Sequence, residues 1–439
     1  MTKVVKFGGS SLASAEQFVK VGNIIRAEDS RRFVVPSAPG KRYSDDIKVT
    51  DMLYGCYDLA AKGKDFEKEF NAIKERYYGI INELNLDLSL ESEFDIIRSC
   101  FIGKAGRDYA ASRGEYLNGI VLANYLGYNF IDAADVIFFD DRGAFDSVKT
   151  NEILSAKLAG MENAVIPGFY GSMPNDTIKT FSRGGSDVTG SIVAAACGAD
   201  LYENWTDVSG FLIADPRIID NPFPITTITY KELRELSYMG AGVLHEDAIF
   251  PVRKAGIPIN IKNTNAPLDH GTMIVESTCQ KPQFTITGIA GKKGFTVINI
   301  EKDMMNGELG FGRKVLEVFE KNGLSFEHMP SGIDTMSVIV HQEEFEPKEQ
   351  EVLAGLHRNV KPDSIDIESG LALIAVVGRA MKSNRGTAGR IFAALAHAHV
   401  NVKMIDQGSS ELNIIIGVDE SDFEAAVKSI YEIFVVHQL

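Results

Sequence analysis

Hydrophobic and polar positions alternate in two distinct ways along this chain. In residues 1–280, short β-branched or aromatic runs take turns with stretches of helical period. Val4-Val5-Lys6-Phe7, Arg32-Phe33-Val34-Val35, Tyr128-Asn129-Phe130-Ile131 and Asn163-Ala164-Val165-Ile166-Pro167-Gly168-Phe169 read as strands that end in turns. Glu115 to Tyr125, Asn151 to Ala159 and Asp187 to Cys197 read as helices. This alternation predicts an α/β domain around a mainly parallel sheet, with ligands at the carboxyl ends of the strands. Asp58 to Asn85 is charged and helical with few turn residues, and reads as a surface insertion whose charges form a solvated face.

Near Gln280-Lys281-Pro282-Gln283 the pattern changes to an internal repeat. Arg313-Lys314-Val315-Leu316-Glu317-Val318-Phe319 precedes Asn322-Gly323-Leu324-Ser325-Phe326, and Arg390-Ile391-Phe392-Ala393-Ala394-Leu395 precedes His399-Val400-Asn401-Val402. Each copy reads strand, Gly-containing loop, helix, strand, turn and strand. Thr335 to Val340 and Glu411 to Gly417 supply the later strands, and Phe423 to Ile433 a closing helix. That order suits a βαββαβ, ferredoxin-like unit. The domain expectation is therefore 1–282 for the α/β part, 283–365 for the first small module and 366–439 for the second, with the two modules open to interleaving.

Composition narrows the class. A length of 439 residues suggests about three domains of ~150 residues. The net charge of -15 argues against nucleic acid and against an acidic membrane surface as partners. Cys56, Cys100, Cys197 and Cys279 are far apart with no C-x-x-C pair, which fits a reducing compartment and no metal site. Met1-Thr2-Lys3-Val4 opens no long apolar segment and no run reaches the ~18 residues of a membrane span, so a cytoplasmic location is expected.

Four segments carry candidate chemistry. Lys6-Phe7-Gly8-Gly9-Ser10-Ser11 joins a strand to a glycine turn, with Ser11-Leu12-Ala13 starting a helical pattern. A Gly-rich turn, a helix N-terminus and a lysine together suit an anion such as phosphate. Phe181-Ser182-Arg183-Gly184-Gly185-Ser186-Asp187 repeats the device, and Arg183 can fork two donors onto a carboxylate. Two readings of Asp187 stand: a ligand, or a charge complement to the helix dipole. Ser112-Arg113-Gly114-Glu115 opens a helix, where Glu115 suits the dipole whatever its use. Trp205-Thr206-Asp207-Val208-Ser209-Gly210 and Asp215-Pro216-Arg217 are donor- and acceptor-rich turns that by themselves read as a loop. Competing motifs fail: Gly40-Lys41 lacks the upstream glycine of a P-loop, and Gly310-Phe311-Gly312 lacks the third glycine of a dinucleotide fingerprint. His245 follows an apolar run and reads as structural.

Taken in order, these segments resemble the amino-acid kinase fold and, within it, the aspartate kinases. The ordered set is K-F-G-G-[ST]-S, S-x-G-E before a helix, a G-R-G-G-S-D-like turn with Ser182 where Gly is common, W-T-D-V-x-G, and D-P-R. Gly240-Ala241-Gly242-Val243-Leu244-His245 looks like the next family segment. The repeated modules resemble tandem ACT domains, and Gln407-Gly408-Ser409-Ser410-Glu411-Leu412-Asn413-Ile414 is a close match to the second. The resemblance implies transfer of the ATP γ-phosphoryl group to the β-carboxylate of L-aspartate, the opening step of lysine, threonine and methionine synthesis. A carboxylate acceptor is ionised at neutral pH and needs no general base, so positioning and charge neutralisation carry the catalysis.

By that resemblance Lys6 lies between the nucleotide phosphates and the attacking carboxylate, while the amides of Gly8, Gly9 and Ser10 cradle phosphate. Arg183 clamps an aspartate carboxylate, Glu115 and Asp187 pair with the substrate ammonium, and Ser186, Thr50 and Ser37 flank the reacting groups. Lys6, Arg183 and Asp187 form the implied catalytic set. Thr206, Asp207, Leu212, Arg217 and Gly242 fall at nucleotide positions, although many relatives carry Tyr where Leu212 stands and Lys where Gly242 stands. Mg2+ bridges the ATP phosphates without a dedicated protein cage. Met305, Gly310, Phe311, Gly312, Ser325, Phe326 and Glu327 occupy the effector loop and strand of the first ACT copy, with lysine as the effector and threonine as a further candidate. A homodimer or dimer of dimers through the ACT modules is implied. Two alternatives stand beside this reading: a catalytically silent amino-acid sensor, favoured by Gly242 and Leu212, and an amino-acid kinase with another acceptor.

Overall fold

The computed structural model describes residues 1–182, 184–242, 244 and 246–438. Two compact units are formed. The first holds residues 1–211, 224–230 and 243–278, and the second holds 212–223, 231–242 and 279–439. The division expected at residue 282 is thus crossed twice, because Leu212–Phe223 and Lys231–Gly242 belong to the second unit.

The strands of the first unit are β1 (Lys3–Phe7), β2 (Arg31–Pro36), β3 (Asn129–Phe130), β4 (Ala164–Val165), β5 (Tyr170–Ser172), β6 (Ile178–Thr180), β7 (Leu201–Thr206), β8 (Thr227–Thr229), β9 (Ile259–Asn263) and β10 (Thr272–Val275). Eight of them form one sheet in the order β3-β4-β2-β1-β7-β9-β10-β8, while β5 and β6 pair separately. The run from β3 to β9 is parallel, and β10 joins β9 antiparallel. β1 lies between β2 and β7 and is buried along its length, as expected for a parallel strand covered on both faces.

Helices α1 (Ala15–Arg26), α2 (Val49–Ala61), α3 (Glu67–Glu83), α4 (Glu91–Ile102) and α5 (Arg107–Leu126) build one core with the sheet. Val5, Phe7, Val34 and Trp205 from the strands meet Phe18 and Val21 of α1 and Leu117 and Val121 of α5. α3 is not the solvated insertion its charges suggest. It buries Phe70, Ile73, Tyr77 and Ile80 at helical spacing, and Arg76 with them. Helices α6 (Ser147–Ala159), α7 (Gly185–Ala196), α8 (Tyr230–Tyr238) and α9 (Glu246–Lys254) follow, and α7 packs on β1, β2 and β7.

The second unit is a five-stranded antiparallel sheet in the order β12-β11-β13-β15-β14, made of β11 (Gly288–Glu301), β12 (Thr335–His341), β13 (Ser364–Val377), β14 (Val402–Asp406) and β15 (Asn413–Asp419). α10 (Phe311–Lys321), α11 (Gln342–Phe345), α12 (Glu349–Asn359), α13 (Thr387–His397) and α14 (Phe423–Phe434) complete it. Two βαββαβ modules share β11 and β13. Phe295 to Glu301 pairs with β12 and with the first half of β13, whereas Gly288 to Lys293 runs only beside Ala372 to Val377, which also pairs with β15. Gly294 and Gly370, both at positive φ, mark the bend at which each strand passes from one module to the other. The first strand thus supplies the last strand of the second module. The break set at 365 from sequence falls inside β13.

Candidate active site

The site lies at the carboxyl ends of β1, β2 and β7. Lys6 is the last-but-one residue of β1, and its side chain is largely buried. Its Nζ lies 2.6 Å from Asp187 Oδ1. Asn204 on β7 donates through Nδ2 to the same oxygen at 2.8 Å. Gly8 N–H bonds the Trp205 carbonyl at 3.0 Å, which ties the turn after β1 to the end of β7. The helical pattern expected from Ser11 is a 3-10 turn over Gly9–Leu12, and α1 starts only at Ala15, where Ser14 caps it by accepting from Gln17 N–H. The amides beside Gly8, Gly9 and exposed Ser10 therefore belong to that tight turn, which has no side-chain cap.

The turn after β2 is pressed against it. Gly40 N–H donates to Gly9 O at 2.8 Å, and Ser37 N–H donates to Phe7 O at 3.0 Å. A Cβ on Gly9 would stand 2.8 Å from Ala38 O, and one on Gly40 2.6 Å from Gly9 C, so both positions need glycine. Asn118 of α5 donates to Ser37 O at 2.6 Å. Arg76 of α3 reaches the Gly40 carbonyl at 2.6 Å, the Ala13 carbonyl at 3.2 Å and Asp46 Oδ2 at 2.6 Å. The Arg42 and Arg76 guanidiniums hold the Asp46 carboxyl far below the usual carboxylate range.

Glu115 projects from α5 beside this turn. It is 6% exposed and accepts the Ala38 N–H, while its Oε2 has no hydrogen-bond partner among the described residues. Burial pushes its carboxyl up to about 8. Gly114 allows the approach, since a Cβ there would meet Ala38 Cβ at 2.8 Å and Thr50 Oγ1 of α2 at 3.7 Å. Glu115, Ser37 and Thr50 are thus brought together at one wall.

α7, packed on β1, β2 and β7, supplies Asp187. Gly184 adopts φ +56° and offers no side-chain cap, so the first-turn amides at Gly185, Ser186 and Asp187 have no capping side chain. Ser186 packs against Gly168, where a Cβ would fall 2.6 Å from its Oγ. Phe169 holds φ +82°, a strained conformation for a bulky residue, with its N–H on Thr189 Oγ1 and its carbonyl receiving Phe181 N–H. Arg183 lies outside the described residues, as do Val243 and His245.

Thr206 ends β7 and Asp207 follows it. Thr206 Oγ1 bonds the exposed Asp207 carboxylate at 3.2 Å, and its carbonyl receives Thr264 N–H. Leu212, Arg217 and Gly242 belong to the second unit. There Leu212 is partly exposed and Arg217 is bound by Asp215 at 2.6 Å. A Cβ on Gly242 would meet nothing within 4 Å.

The effector residues divide. Met305 and Phe311 are buried in the first module's core with Val315, Val338 and Leu356, so their side chains pack rather than face a ligand. Gly310, at φ +77°, precedes α10 without a side-chain cap, Gly312 sits in its first turn, and Ser325 and Phe326 are exposed. The Glu327 carboxylate is already engaged by His341 Nε2 at 3.2 Å and by the Tyr238 hydroxyl, whose titration is pushed up to about 12 by burial and this bond.

Sequence reasoning missed Asn204, Arg76, Asn118 and Phe169. Asn204 left one trace, a neutral polar residue inside an otherwise bulky central strand.

The amino acid kinase family profile matches residues 1–263, and an ACT domain profile matches 374–434. Aspartokinase 3 of Bacillus subtilis is 41% identical over 98% of this chain and 98% of its own length. The chain belongs to the aspartate kinases. The crystal structure of Clostridium acetobutylicum aspartate kinase superposes with a TM-score of 0.91 at 54% identity, covering 98% of this chain and 99% of that one. Escherichia coli aspartokinase III, solved in complex with aspartate and ADP, shares the fold at 23% identity, with a TM-score of 0.75 and 99% of both chains covered. The same enzyme in complex with lysine and aspartate gives 22% identity, a TM-score of 0.74, and coverage of 98% and 99%. Like the family, this aspartate kinase is an ATP-dependent phosphotransferase acting on aspartate. The silent-sensor reading is not favoured. No helix among the described residues is long and apolar enough to cross a membrane.

Proposed function

We propose that this aspartate kinase holds its two anionic reactants between the β1 and β2 turns and the first turn of α7. The observation that carries the reading is the buried Lys6 ammonium beside Asp187 at the end of β1, joined by a buried carboxylate on α5, Glu115, with an unpartnered oxygen. Lys6 moves onto the oxygens of the transferring phosphoryl group and neutralises it against the incoming β-carboxylate. The amides of Gly8, Gly9 and Ser10 bind phosphate. Glu115 and Asp187 take the substrate ammonium, Arg183 the aspartate carboxylate, and Ser37, Thr50 and Ser186 line the acceptor. Thr206, Asp207, Leu212, Arg217 and Gly242 serve the nucleotide.

Among the described residues no cluster of three or more His, Cys, Asp or Glu side chains is placed to hold a metal. Mg2+ would be carried on the ATP phosphates with water ligands, where it would offset phosphate charge. Lysine is the proposed effector, with threonine a second candidate. Its binding would use the backbone of Gly310 and Gly312 with Ser325 and Phe326, and would require Glu327 to exchange His341 for the ligand ammonium. A cytoplasmic homodimer or tetramer joined through the ACT modules completes the proposal. Support for the effector comes from the lysine complex of the E. coli enzyme.

The test is ADP release with aspartate, glutamate and other acids. Turnover with aspartate and its loss in Lys6→Ala by roughly a hundredfold or more, about 3 kcal/mol of barrier, is expected. Near-native Lys6→Ala activity would refute the role of Lys6. Inhibition assays with lysine, threonine and both together decide the effector.

A further inference from the structure

Asn204 pairs directly with Lys6 across the β1–β7 ladder and is 4% exposed. Its amide spans opposite charges: Nδ2 donates to Asp187 Oδ1 at 2.8 Å, and Oδ1 faces Lys6 Nζ at 3.5 Å, the outer limit of a hydrogen bond. An ammonium only donates and a carboxylate only accepts, so these partners fix the amide orientation. Tyr202, two residues earlier on the same face, donates to the Asp187 carbonyl at 3.2 Å. Gly190 makes room for it, since a Cβ there would stand 2.4 Å from the Tyr202 hydroxyl. β7 thus holds both the main chain and the side chain of Asp187. The Lys6–Asp187 contact at 2.6 Å needs no third party to form. What the asparagine adds is a donor that stays on Asp187 Oδ1 after the lysine has gone.

We infer that Asn204 is a positioning residue that keeps the Asp187 carboxylate in one orientation while the Lys6 ammonium moves from it to the oxygens of the transferring phosphoryl group. This rests on the reading of Lys6 proposed above. Because Lys6 leaves Asp187 only as the phosphoryl group transfers, the contribution falls mainly on kcat, with a share on KM for aspartate through Asp187 and none on KM for ATP.

Asn204→Leu keeps the size of the side chain and removes both amide atoms. Its kcat is expected to fall about tenfold or more, with KM for ATP within about twofold. Asn204→Asp supplies a readout that a merely structural role would not move. Protonated, the new carboxyl reproduces the amide pattern; ionised, it repels Asp187 and competes for Lys6. The titratable groups facing that point are Lys6 from β1, Asp187 from α7 and Tyr202 from β7. The ratio of its kcat to the native value is expected to rise as the pH falls from about 8 to about 6. Taking the ratio cancels the titration of Glu115, which both proteins share.

A native kcat in Asn204→Leu, a rise of both KM values that accounts for its loss, or a ratio that is flat in pH overturns the proposal. Should the leucine protein not fold, the isosteric aspartate protein decides alone. Lys6→Ala, assayed alongside, separates the two readings. High activity there overturns the role of Lys6, whereas an inactive Lys6→Ala with a native Asn204→Leu overturns only that of Asn204.

Discussion

Glu115 is a buried carboxyl group whose Oε2 has no hydrogen-bond partner among the described residues. Its ordinary value of 4.5 is raised to about 8 by burial, and the Ala38 amide and the Arg113 charge only partly oppose the rise. Between those values the folded chain holds a proton that the unfolded chain has lost. Stability contributed by this group therefore falls as pH rises from about 4.5 to about 8, and levels off above. An arriving ammonium has the opposite demand, because it binds the ionised form. The value of kcat/KM for aspartate is expected to climb with pH through about 8, and Glu115→Gln should lower it while removing that limb. A pH–rate profile without the limb in the native enzyme would remove Glu115 from substrate binding. By local pattern the residue reads as an acid that opens a helix, but α5 starts at Arg107 and Glu115 lies well inside it, away from the N-terminal dipole. Its burial follows from the close approach of Ala38 and Thr50 to Gly114 next to it, which no local pattern announces.

At the scale of elements, α3 acts as the clamp of the two glycine turns. Arg76 reaches over 30, 36 and 63 residues of chain to Asp46, Gly40 and Ala13. Sequence separations of that size explain why its charge reads as solvated when α3 is taken alone. By contrast, β1 and its glycine turn were readable because the signal is local, an apolar run that ends in two glycines. Arg76→Ala leaves the buried Asp46 with Arg42 alone and frees the Gly40 carbonyl. A loss of about 3 kcal/mol in denaturant unfolding is expected, with a raised KM for both substrates. Arg76→Lys should rescue little of it, since one ammonium cannot serve three acceptors that a planar fork reaches in different directions. Unchanged KM values in a folded Arg76→Ala protein would show that the turns hold their places without α3.

At the scale of the whole molecule, the two regulatory modules are one object. The repeat itself was visible as similar segments 76 residues apart, Leu324 and Val400 among them. Its interleaving was left open, because Gly288 lies opposite Val377 and only pairing decides it. The same end of the sheet is locked by Glu232 of α8, fully buried, which receives the Thr287 hydroxyl at 2.5 Å and the Arg379 guanidinium at 3.0 Å. Arg379→Ala takes the guanidinium from that buried carboxylate and should cost about 3 kcal/mol in thermal or denaturant unfolding. Cutting the chain after Val377 is a harsher test of the shared sheet. It removes β14, β15, α13 and α14, and turns Leu371 to Val377, all fully buried, into a bare apolar edge strand. The shortened protein is expected to aggregate, seen by light scattering and size exclusion, and not to survive as an active, effector-insensitive kinase. A soluble, active product would mean that the first module can close its sheet without the second.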